Sequence, residues 1–170
     1  AHFPQTRMRR LRYHPGIRAL TQETRLDAQR LILPLFVRAG EGPRQPIGAL
    51  PGHDQLTLSC LADELQQVRQ LGWGGVILFG IPAEKDAQGS DSFHESGIIQ
   101  LAIRTCKELA PELLVISDVC LCEYTDHGHC GLIHQQQGRI DVDNDATLNR
   151  LAKQVVSHAQ AGADVLAPSG

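Results

Sequence analysis

Apolar residues along the chain fall into two kinds of run. Four are short and continuous: "LILPLFV" from Leu31, "GVILFGI" from Gly75, "LLVIS" from Leu113 and "ADVLAP" from Ala163. Their length and their β-branched content predict strands buried on both faces. Between them apolar residues recur at helical spacing. "SCLADELQQVRQLG" places them at 61, 65, 68 and 71, with Ser59 as the expected N-cap and Gly72 as the stop. Residues 98–109, "IIQLAIRTCKEL", predict a second helix that Pro111 forbids from continuing. "DNDATLNRLAKQVVSHAQAG" predicts a third, capped by Asn144 or Asp145 and ended by Gly162.

The resulting order, β-α-β-α-β-α-β, describes an α/β fold with a parallel sheet and right-handed crossovers. Two architectures accept it: a doubly wound open sheet, or the first half, about four βα units, of a TIM-type (β/α)8 barrel. No G-x-G-x-x-G and no G-x-x-x-x-G-K-[ST] follows these strands, which weakens dinucleotide and P-loop readings. In both architectures ligands gather where strands end, so the informative positions are Phe79, Asp118 with Cys120, and Pro168 with Ser169.

Residues 1–25 have a different texture. Arg7, Arg9, Arg10 and Arg12 form a basic cluster before "HPG", with few apolar residues to bury. This segment reads as an N-terminal arm, either a solvated tail or an extension that docks on another subunit. Residues 26–170 carry the strand and helix pattern and form the expected domain. A chain of 170 residues with 42% hydrophobic content can bury one core. Its formal charge of −3, from 16 basic and 19 acidic residues, argues against nucleic acid or an anionic membrane as partner and favours small molecules. Apolar runs fall short of the roughly 18 residues of a membrane helix, and the start lacks the apolar core of a signal peptide, so a cytoplasmic protein is expected.

Five cysteines make an odd count, and three of them crowd into "DVCLCEYTDHGHCG" after the third strand. Reduced thiols are the better reading than a disulfide framework. Cys60 and Cys106 sit within apolar patterns and read as core. Cys120, Cys122 and Cys130 have the spacing C-x-C-x7-C. Structural zinc sites usually take four protein ligands in paired hooks, whereas three leave a position for water or substrate. Soft thiolates select zinc over magnesium or calcium, and an iron-sulfur cluster wants a fourth cysteine. His127 and His129 are either a source of a fourth ligand or groups that hydrogen-bond around the site. A redox-active thiol group and plain loop packing are the competing readings, although the redox motif C-x-x-C is absent.

"DVCLCEYTDHGHCG" followed by "VDNDATLNRLAKQ", with "AGADVLAPS", "LILPLFV" and "RMRRLR", resembles porphobilinogen synthase, also called 5-aminolevulinate dehydratase, of the zinc-dependent bacterial type. The similarity runs from about Arg7 to Gly170. It implies a lyase that joins two 5-aminolevulinate molecules into porphobilinogen with loss of two waters, on the way to haem. It also implies an eight-stranded barrel, an arm that embraces a neighbouring subunit, and a homo-octamer. Carried over by motif, Cys120, Cys122 and Cys130 hold Zn2+, and Asp118 and Ser169 line the active site. The competing reading of Asp118 is a capping carboxylate at a strand end, and that of Ser169 a loop hydroxyl.

The resemblance also assigns Schiff-base chemistry to two lysines in the second half of the barrel, beyond Gly170. The lysines available here are Lys85, Lys107 and Lys153, and all three read as solvated. The 170 residues are therefore expected to be a fragment, inactive by itself. The alternatives to a lyase are a non-catalytic zinc-binding module and a thiol redox sensor.

Overall fold

The fold was taken from a computed structural model, which describes residues 2–6, 9–136 and 138–170. The long strands are β1 (Ile32–Arg38), β4 (Gly75–Ile81), β5 (Leu114–Val119) and β8 (Val165–Pro168). They lie side by side in that order, all parallel, with Ile32 opposite Gly75 and Asp118 opposite Ala167. The helices α2 (Leu61–Leu71), α3 (Ile98–Leu109) and α4 (Asn144–Ala161) connect them. From β1 to β8 these four strands follow chain order, as the strands of a barrel do, while a short strand of the loop after β1 pairs with β1 on its other side.

The two faces of the sheet differ. Leu35, Val37, Val76, Leu78 and Val115 are buried in one cluster with Leu61, Leu65 and Val68 of α2 and Ile99, Ala102, Ile103 and Cys106 of α3. Alternate residues face the other way and stay partly exposed. Phe36 and Phe79, opposite each other across β1 and β4, stack there at 5.1 Å between ring centroids.

Several local expectations are corrected. Helix α2 begins after a 3-10 turn at Leu58–Cys60, so Cys60 occupies the capping position and Ser59 caps nothing. The Ser59 hydroxyl pairs instead with Thr57 Oγ1 at 3.0 Å. The cap of α4 is Asp143, one residue before the expected pair: its Oδ1 accepts from the Ala146 amide at 3.0 Å. Gly72 and Gly162 do end their helices, at φ of 67° and 106°. Cys60 is only half-buried and bonds Thr57. Lys107 is not a free surface cation; it donates to Asp164 at 2.9 Å and to the carbonyls of Pro111 and Leu113.

The loop after β1 contains two short strands, β2 (Gln45–Pro46) and β3 (Asp54–Leu56), which extend the sheet beyond β1. A hairpin of β6 (Ile133–Gln136) and β7 (Arg139–Val142) precedes α4. Both escaped the sequence pattern because they are too short or too polar to alternate visibly. In the N-terminal segment Pro15–Thr21 forms α1, with no buried residue. Tyr13, Leu20 and Leu26 are 75, 81 and 91% exposed. Arg7 of the expected basic cluster lies outside the described residues.

Candidate functional site

Strand β5 ends at Val119, and the next residue starts the cysteine-rich loop. Cys120 is buried, Cys122 half-buried and Cys130 exposed. A turn closes between them: the amides of Tyr124 and Thr125 both bond the Leu121 carbonyl, and Thr125 Oγ1 donates to the His129 carbonyl at 2.8 Å. Gly128, at φ 73°, supplies the left-handed step that returns the chain. The loop thus brings back Cys130, eight residues after Cys122. The three sulfurs lie within 4.8 Å of one another, with Cys120 and Cys122 at 3.3 Å.

The loop is held from outside too. Tyr124 is buried with its ring end against Gly80 of β4, where a Cβ would collide with the hydroxyl. The Asp86 amide donates to the Tyr124 carbonyl, and the Asp126 amide to the Asp86 carbonyl. At the far end Gly131 packs so closely on α4 that a Cβ would stand 2.5 Å from Thr147 Oγ1.

Asp118, one turn of the pleat before Cys120, is 8% exposed. Ser169, just past the end of β8, donates its hydroxyl to Asp118 Oδ1 at 2.7 Å. Burial raises the Asp118 carboxyl above its ordinary value, the Ser169 bond opposes that, and Glu123 adds to it. The Cys122 thiol is pushed up by burial, then by Cys120 and Glu123, and Cys120 is raised chiefly by burial. All five sequence-predicted residues therefore meet at the C-terminal ends of two adjacent parallel strands. His127 and His129 lie on the same loop with rings 5.5 Å apart, outside the group of three sulfurs. Lys85, Lys107 and Lys153 do not join it: Lys85 is exposed, Lys107 is paired with Asp164, and Lys153 lies over the Phe93 ring.

Sequence reasoning missed the groups behind the site. On α4, Gln154 and His158 are fully buried, as is Gln100 on α3. Gln154 Nε2 donates to the Cys120 carbonyl at 3.0 Å. The Ser117 hydroxyl lies 2.8 Å from His158 Nδ1, and His158 Nε2 lies 3.0 Å from the Ser92 carbonyl. A carbonyl can only accept, so the ring carries its proton on Nε2 and takes the serine hydroxyl at Nδ1. A signal was available: 154 and 158 are four apart, on the helix face that should be apolar.

Three sulfurs at this spacing suit a soft divalent ion, so the cluster could hold a metal. Among the described residues, no helix is long and apolar enough to cross a membrane. The family model for delta-aminolevulinic acid dehydratase matches residues 5–170. The delta-aminolevulinic acid dehydratase of Halalkalibacterium halodurans is 51% identical over 163 residues, covering 96% of this chain and 48% of the relative; that of Bacillus subtilis is 44% identical over 163 residues, with 96 and 49% covered. The crystal structure of the Toxoplasma gondii delta-aminolevulinic acid dehydratase (porphobilinogen synthase), in complex with the reaction product porphobilinogen, superposes with a TM-score of 0.90 at 35% identity, covering 97% of this chain and 47% of that one. The chain spans about half the length of the curated relatives it matches. A match along nearly the whole chain, in sequence and in fold, makes it a member of the delta-aminolevulinic acid dehydratase family.

Proposed function

We propose that this chain supplies the zinc-holding half of the active site of a porphobilinogen synthase, a cytoplasmic lyase that condenses two molecules of 5-aminolevulinate to porphobilinogen in haem synthesis. The observation that carries the reading is the convergence of three thiols with the Asp118–Ser169 pair at one strand end, in a chain of this family. The partly exposed Phe36 and Phe79 face and the parallel succession of β1, β4, β5 and β8 support a (β/α)8 barrel, of which residues 26–170 would form the first four βα units.

Cys120, Cys122 and Cys130 would hold the zinc, which when bound acts as a Lewis acid toward a substrate oxygen or nitrogen or lowers the pKa of a water. The other steps belong to side chains. Ser169 fixes one oxygen of Asp118, which leaves Oδ2 to take a proton from, or hydrogen-bond, a substrate ammonium. Tyr124, packed on Gly80, closes the loop's inner side against water. Lys85 is exposed in a charged loop, and Lys107 and Lys153 are engaged elsewhere, so the Schiff-base lysines are proposed to come from sequence outside these 170 residues, and the 170 residues alone to be inactive. Residues 1–25 are proposed as an arm whose exposed Leu11, Tyr13 and Leu20 bury against a neighbouring subunit in a homo-octamer.

The test is metal content after Cys122→Ala. The wild-type protein should carry one zinc per chain by atomic absorption, and the variant should lose it while remaining folded by circular dichroism. Cys60→Ala should keep its zinc. Unchanged metal in Cys122→Ala would move the ligands elsewhere, and a metal-free wild type whose thiols oxidise reversibly would favour a redox sensor.

A further inference from the structure

The buried amide of Gln154 is out of place on hydrophobic grounds. It lies on the inner face of α4, fully enclosed, where a leucine of similar size would avoid the cost of stripping water from a polar group. That cost is only half recovered: Nε2 bonds the Cys120 carbonyl, but Oε1 is buried without a hydrogen-bond partner. The acceptor is a telling one. Cys120 is the first residue past the end of β5, beyond the last pair of the β5–β8 ladder at Val119 and Pro168, so the sheet no longer fixes its peptide plane.

We infer that Gln154 is a positioning residue for the thiol cluster: its amide clamps the carbonyl of Cys120 and so sets the direction in which Cys120 and Cys122 present their sulfurs. The reasoning is geometric. Rotation of the Cys120–Leu121 peptide swings the chain between the two cysteines, whose sulfurs stand 3.3 Å apart. Sulfur ligands preset in this way need less rearrangement to converge on a metal, and groups that orient metal ligands contribute to affinity without touching the ion. Helix α4 is itself anchored one turn further on, where His158 bridges Ser117 of β5 and the Ser92 carbonyl, so Gln154 reaches Cys120 from a fixed platform.

This inference rests on the metal-site reading above. Zinc affinity of the purified protein, measured by competition with a chromophoric chelator, should fall about 10-fold or more in Gln154→Leu. The thiolate-to-metal charge-transfer band of the cobalt(II)-loaded protein should weaken or shift in the same variant, which a loss of stability alone would not produce. Gln100→Leu is the control: its amide bonds the Ser92 carbonyl and Ser157 Oγ, in the same buried layer but away from Cys120. It should leave both readouts at wild-type values. Gln154→Met, which also lacks the donor, replaces Gln154→Leu if the latter does not fold. Unchanged affinity and spectrum in the Gln154 variant, or an equal loss in Gln100→Leu, would overturn the inference. A wild type that binds neither metal would instead overturn the metal-site reading.

Discussion

At the scale of single residues, His158 makes the fold sensitive to acid. Burial lowers its pKa from the ordinary 6.5 to about 4, against a small opposing effect of the Ser92 carbonyl. The folded state therefore keeps the ring neutral while the unfolded chain protonates it below 6.5. The stability this neutral ring contributes is complete above pH 6.5 and is lost as pH falls toward 4, by roughly 3 kcal/mol in total. Urea midpoints measured at pH 7.5 and 5 should show that slope, and His158→Gln should flatten it; equal slopes in both proteins would contradict the assignment. This residue was invisible to a reading that looked for chemistry in clusters. The cysteines and Asp118 were legible because their spacing is unusual, whereas Gln154 and His158 matter through partners 34 and 41 residues away in sequence.

At the scale of elements, the site depends on how β4, β5 and α4 are packed under the loop. Gly80→Ala places a methyl where the Tyr124 hydroxyl sits and should cost about 1 to 3 kcal/mol in thermal or denaturant unfolding. Asp143→Ala removes the cap of α4 and should cost about 1 kcal/mol. A neutral Gly80→Ala would mean that the tyrosine is not wedged against β4. The strands and helices themselves were readable from apolar runs, and α3 matches its predicted span of 98–109. The caps were not, because several polar residues compete at each helix start and only the backbone path decides which one reaches the amide. For α4 the expected caps were Asn144 and Asp145, and the chain leaving β7 gave the role to their neighbour Asp143.

At the scale of the whole molecule, the long strands run in chain order with helices packed on one face, and the other face carries partly exposed aromatic rings. Such a sheet suits closure by further strands, and the arm's exposed leucines suit a partner subunit. Replacing Leu11 and Leu20 together by serine should shift the assembled protein to smaller species in size-exclusion chromatography without lowering its melting temperature, since neither side chain is buried in this fold. An unaltered elution volume would remove the arm from the assembly. The parallel α/β sheet was legible in the sequence but the neighbours of each strand were not, because alternating strands and helices do not state their spatial order; the register of β1, β4, β5 and β8 does.

In the proposed site Cys120, Cys122 and Cys130 grip one zinc ion and leave a coordination position for a reactant. X-ray absorption at the zinc edge of the loaded protein tests it most directly. The expected shell is three sulfur scatterers at about 2.3 Å and one oxygen or nitrogen at about 2.0 Å that exchanges when 5-aminolevulinate is added. A shell of four fixed protein ligands, or one with fewer than three sulfurs, would contradict it.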